Sequence, residues 1–362
     1  MALTSARTVA ARRIIDLRSV PRRRLTLFVV ATAVVGIAAL AIALWLGGDL
    51  SQSTINGLVV GGTGNLTTWG LSASKLVMDL SSVGVIGLLL TWLLLPVSDG
   101  EPSPTVRSCQ RTAIWLAVAW AVAMAALLVF TWSDVLDQPV TRLPFTKLFT
   151  STTTVFPDAV AYISGTLVAV VIAVGAAVIE SRRGASILLM LACYNLVPMA
   201  LQGHASHGTV LKYSLVVHVI AVSLWVGGLG ALLLHVRREP ALLAVAVPRF
   251  SSVALGCYVM VAASGIVAVW VLLGSVPALW GSRYGVLVML KAAALIALGI
   301  LGWWHRRHTV RRIRTSQNDS RARRAFIQLA AAEVVIMVIA VALAVALSRT
   351  ASPDTIILHG NQ

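Results

Sequence analysis

The sequence predicts an all-α integral membrane protein, a polytopic helical bundle of about nine transmembrane helices with its N-terminus in and its C-terminus out. Three observations predict it. Of 362 residues, 58% are hydrophobic and 12% charged, with a mean hydropathy of +0.88, which is too apolar for a soluble domain. Apolar runs recur along the chain at close to the ~20 residues that a bilayer requires. The basic residues alternate between the connections: 22 of the 29 lysines and arginines fall on one side, six on the other, and Lys291 lies within a run. An excess of this size sets orientation.

Residues 1–24 carry seven arginines and form a basic cytoplasmic N-terminal segment. The run at 25–47 is longer than a signal-peptide core, so it is expected to remain as an uncleaved first span. Further spans are expected at 76–97, 112–132, 159–180, 185–201, 212–236, 250–275, 285–304 and 325–348. Residues 25–348 then form one transmembrane domain, and 349–362 an external tail. Outer loops are expected at 48–75, 133–158, 202–211 and 276–284, with the basic loop His305–Arg324 inside. The Gly/Ser/Thr-rich stretch Gly57–Thr68 has few apolar anchors and reads as an outer loop resting on helix ends. Trp45, Trp69, Trp132, Trp280, Trp303 and Trp304 fall near span ends, as interfacial anchors do.

The formal charge of +16 and pI near 11.2 would suit a nucleic-acid ligand in a soluble chain. Here the cations cluster at alternate helix ends, which assigns them to the lipid bilayer and leaves no nucleic-acid partner. Cys109, Cys193 and Cys257 are odd in number and form no CxxC pair, so no disulfide framework is expected. No nucleotide-binding, kinase or hydrolase motif is present, and the chain is not expected to be an enzyme.

The stretch Met199–Glu239 concentrates the residues that could carry chemistry. His204 and His207 lie three residues apart beside Lys212, and His218 follows two turns into the sixth span. An imidazole at that depth loses its hydration and needs a compensating partner: a metal, a cofactor or a polar side chain of a neighbouring helix. The fifth and sixth spans share a short loop, so Met199, His204, His207 and His218 converge near the external face. Imidazole suits Cu(I), Cu(II) and Zn(II), and thioether sulfur favours Cu(I), which makes copper the best match by ligand type. A hydrogen-bonded histidine and a polar loop surface are the alternatives. Pro198 frees a carbonyl near Tyr194 and is expected to bend the fifth span. The cluster Gly227, Gly228 and Gly230 is expected to admit a neighbouring backbone.

Deeper sulfur atoms suggest a relay. Met190 and Cys193 share a helix face, as do Cys257 and Met260, and Met289 lies in the eighth span. If these faces meet, they form a translocation path for Cu(I); as ordinary gap fillers, they do not. Asp79, Lys291 and Glu333 are ionisable residues within spans, expected to face the interior, with Lys291 pairing with Asp79 or reaching toward Glu333.

The blocks NLVPMALQGHASH, HVIAVSLWVGGLGALLLH, RFSSVALGCYVMVAASGIVAVWV, YGVLVMLKAAAL and LGWWHRRHTVRRI, together with TTWGLSASKLVMDLSSVGVIGLLL, resemble the CopD copper-resistance family. The likeness runs from about residue 57 and is strongest to the amino-terminal membrane half of actinobacterial proteins in which CopD is joined to a CtaG-type oxidase-assembly region. The resemblance implies a multi-pass bacterial plasma-membrane protein associated with copper passage into the cell, with the family's histidine blocks falling on His204 and His218. The chain closes at Gln362, past the ninth run, so a CtaG-type half and a direct role in oxidase assembly are not expected.

Together these readings predict copper import through an external His/Met capture site, fed by a periplasmic or extracytoplasmic copper-binding protein. The rivals are a haem-binding membrane redox protein, with histidines as axial ligands, and a non-transporting scaffold for copper delivery to cytochrome oxidase assembly.

Overall fold

The computed structural model describes residues 64–96, 103–143, 159–202, 208–273, 277–304, 306–307 and 320–349, with isolated positions between 34 and 42. Its helices are α1 (Gly64–Leu94), α2 (Pro104–Val135), α3 (Ala159–Val178), α4 (Arg182–Asn195), α5 (Val197–Gln202), α6 (Gly208–Ala231), α7 (Pro240–Leu273), α8 (Ala278–Gly281), α9 (Arg283–Trp304) and α10 (Ser320–Arg349). Among the described residues, eight helical segments are long and apolar enough to cross a membrane, matching the second to ninth predicted spans. The protein is a polytopic helical membrane protein. The basic segment 1–24, most of the run 25–47 and the tail beyond Arg349 lie outside the described residues.

The bundle is organised around α1, which packs against α2, α4, α6 and α7. Where helices sit in hydrocarbon, close backbone approach drives association, and small residues permit it. Gly87 of α1 and Gly227 of α6 form such a contact: a Cβ on either would run into the other helix's backbone. Gly228 lies against Phe250 of α7 and Leu90 of α1. Gly230 meets nothing within 4 Å, so only two of the three clustered glycines serve this approach. The helices α9 and α10 pair closely with each other and touch α6 and α7 over few residues.

One end of the bundle is tied by basic and polar side chains. Arg182 donates to the carbonyl of Leu93, and Arg249 donates to that of Leu94 at 2.7 Å, so two guanidinium groups cap the C-terminus of α1. At the same end His235 Nδ1 meets Ser108 Oγ at 3.2 Å, and Arg306 donates to the Ser251 carbonyl at 3.4 Å. By the charge bias this is the inner end.

Three boundaries differ from expectation. Residues 64–75, assigned to an outer loop, extend α1 instead: the small side chains pack on α2, with Gly70 against Phe130 and Thr67 Oγ1 2.8 Å from Ser133 Oγ. The seventh span begins ten residues earlier than 250, because Arg249 is satisfied by a carbonyl of α1, Leu243, Ala246 and Val247 are buried, and the helix continues through Pro248. Near Pro198 the helix is interrupted over a single residue: α4 ends at Asn195, Leu196 stays in helical conformation, and α5 continues from Val197 within the same span, Arg182–Leu201. Buried Asn195 fastens the interruption by donating to the Gly165 carbonyl of α3 at 3.1 Å.

Candidate functional site

His218 lies ten residues into α6, roughly 15 Å along the helix at 1.5 Å per residue. The helix α6 is apolar throughout this region and packs antiparallel on α7, so the ring is only partly accessible. Its Nδ1 is 2.8 Å from Ser264 Oγ of α7. Ser264, buried, donates its hydroxyl hydrogen to the Val261 carbonyl one turn earlier, at 3.0 Å. With that hydrogen committed, the proton between the two residues belongs to the imidazole: Nδ1–H donates to Ser264 Oγ, and the lone pair is on Nε2. Ser214, one turn before His218, adds a second link by donating to the Ser264 carbonyl at 3.2 Å. A ring oriented through one nitrogen, with the other held as a bare donor, is the usual state of a metal-ligating histidine.

The remaining sequence candidates divide. Met199 of α5 packs, half-buried, against the core, and α5 lies against α6. His204 and His207 fall outside the described residues, so the proposed convergence of Met199, His204, His207 and His218 rests on α5 ending at Gln202 and α6 starting at Gly208. Among the described residues, no three His, Cys, Asp or Glu side chains cluster as a closed metal cage.

The sulfur path is brought together only in part. Cys193 packs against the core, Cys257 is buried in it, and the two thiols lie within electrostatic reach of each other. Met190 and Met260, expected on the same faces, are 63% and 49% exposed and turn outward. Met289 is half-buried on α9.

Of the ionisable residues, Asp79 departs from expectation. The ammonium of Lys291 on α9 is within electrostatic reach of His218. The electrostatic partner of Asp79 is Lys75, one turn earlier on α1, and Asp79 sits on an outward face. Glu333 is buried on α10 and has a partner of its own. The serines were missed from sequence. The signal available was the hydroxyl of Ser264 inside the apolar run AASGIVAVW, where an unpaired polar group is costly.

The comparisons with known proteins agree with this architecture. Residues 66–213 match the model of the copper resistance protein D-like N-terminal domain, and residues 244–347 match that of copper resistance protein D. Met199, Cys193 and Asp79 fall in the first match, Ser264, Lys291 and Glu333 in the second, and His218 between the two. Neither a search of curated proteins nor one of solved structures gives a match. The two family matches meet on one helical membrane bundle in the expected order, and the chain belongs to the copper resistance protein D family.

Proposed function

We propose that this protein imports copper across a bacterial plasma membrane, binding the ion at the outer half of α6 and passing it inward without covalent chemistry. One observation carries the reading: His218 is held by Ser264 through Nδ1, which leaves Nε2 as a soft-to-borderline donor within a membrane span. Met199 lies on the adjoining helix, and His204 and His207 occupy the five residues between α5 and α6, so both are available in sequence to complete the ligand set. Two or three such ligands retain copper while still allowing exchange, as a transit site requires. An inside-negative potential favours entry of a cation by about 2.3 kcal/mol per charge per 100 mV, which suffices without an ATPase. Supply by an extracytoplasmic copper-binding protein fits a site at this end.

The haem alternative needs two histidines on one iron. His235, the other histidine described in the spans, is 17 residues from His218 along one helix and bonds Ser108 at the opposite end, so these two do not share a haem.

The deciding measurement is uptake of labelled copper into vesicles bearing wild-type protein or His218→Ala at matched expression. Loss of roughly tenfold or more is expected, and equal rates refute the assignment.

A further inference from the structure

The inner halves of α6, α7, α9 and α10 enclose a cavity of about 650 Å³ that the copper reading leaves unused. Among the described residues lining it none is His, Cys or Met, so these offer copper no soft ligand. Its walls are apolar, formed by side chains such as Leu229, Phe250 and Ile300. Leu255, Ile296, Ile300 and Trp303 line it and are each more than half exposed, so it opens sideways toward lipid. Close-packed interiors contain few voids larger than a water molecule, and a void of this size facing hydrocarbon is in the range of ligand pockets.

The mouth is charged. Arg306 lines it at the inner end of α9, and among the described residues it makes one long hydrogen bond, to the Ser251 carbonyl at 3.4 Å, from a side chain that carries five N–H donors. Arg307 stands beside it, 5.3 Å over the Trp303 ring. Glu333 also lines the cavity, but it has its own partner and serves as wall. Two guanidinium groups at the level of the interface, above an apolar slot open to the membrane, complement a phosphate with an attached hydrocarbon chain.

We infer that this cavity holds one anionic phospholipid from the arginine-rich leaflet, its acyl chain between α7 and α9 and its phosphate on Arg306. The lipid fills the gap between the α9–α10 pair and the rest of the bundle, where direct helix contact is sparse. The proposal does not depend on the copper assignment.

The test uses the full chain in detergent, stripped of lipid, loaded with phosphatidylglycerol or phosphatidylcholine, washed, and counted by native mass spectrometry. One retained phospholipid per chain is expected, with phosphatidylglycerol favoured about fivefold, the weight of one arginine near an anionic headgroup. Gly302 lines the cavity, and a Cβ there meets nothing within 4 Å, so Gly302→Leu sends its side chain into the slot and is expected to abolish retention of both lipids. Arg306→Gln removes the preference but leaves retention. Should Gly302→Leu fail to fold, Ala254→Phe fills the same space from α7 and decides the matter. Equal retention by the wild type and the filled variant, or retention of a neutral isoprenoid in place of phospholipid, overturns the proposal.

Discussion

The outer and inner halves of the α6–α7 interface are made of the same two helices and differ in how they use polar atoms. In the outer half, Ser214, His218 and Ser264 join the helices by two side-chain links, and Lys291 of α9 lies within electrostatic reach of the same ring. In the inner half, seven residues further along α6, Trp225 meets Tyr258 edge-on at 5.9 Å between ring centroids, and beyond them lies the apolar cavity. A hydrogen-bonded ring can be aimed at an ion, whereas an apolar cavity can only be filled. The contrast separates a half joined by hydrogen-bonded polar side chains from a half built around apolar surface within one helix pair, and the two proposals above rest on that difference.

The largest expected effect comes from breaking the packing that both halves share. Gly227→Leu sets a side chain against the backbone of α1 at Gly87 and Val83, a site that cannot relax by moving a rotamer. Overpacking typically costs ~1–3 kcal/mol and more when backbone must shift, so folded protein should be lost from detergent extracts. Gly230→Leu, with open space around it, should leave the yield and melting temperature unchanged.

Within the outer half, Ser264→Ala removes the acceptor that orients His218 without touching the ligand itself. Copper affinity measured on purified protein should fall by roughly 10- to 100-fold, and Ser264→Thr, which keeps the hydroxyl, should recover most of it. A loss that Thr does not rescue would make Ser264 a packing residue. Next in size is Lys291→Met. Removing a cation within electrostatic reach of His218 should tighten copper binding by roughly tenfold, the order of a unit-charge interaction in partly buried surroundings. An unchanged affinity would place the ion away from His218.

Much of the fold was legible because hydrocarbon imposes one simple rule: each crossing must be a helix of near-constant length with apolar sides. Eight of the predicted spans appear for that reason, and the boundaries fail where a charge or a small polar residue is satisfied by another helix. Arg249 looked like a span end and is a cap on α1, and Thr67 looked like loop and is bonded to Ser133. The depth of His218 was also legible, since a lone histidine in an apolar run is conspicuous. Its partner was not, because Ser264 lies 46 residues away and only tertiary packing brings them together. The same limit explains Lys291: its charge was visible in the sequence, but the group within its electrostatic reach, His218, is set by tertiary packing.

The smallest expected effect concerns the sulfur atoms below the site, where sequence spacing alone treated four residues as equivalent. Helical periodicity puts Met190 beside Cys193 and Met260 beside Cys257, but residues three apart are offset around the helix, and here the cysteines turn inward while the methionines turn out. Met190→Leu and Met260→Leu keep the volume and remove the thioether, so copper uptake should stay within about twofold of wild type. If ions pass beyond His218 by exchange between sulfur atoms, Cys193 and Cys257, which pack into the core within electrostatic reach of each other, are the first carriers to test. Cys257→Ser should then slow uptake more than both methionine changes combined, while binding at the outer site is unaltered. A clear loss with Met260→Leu instead would move the path to the outward face of α7, outside the interface that holds His218.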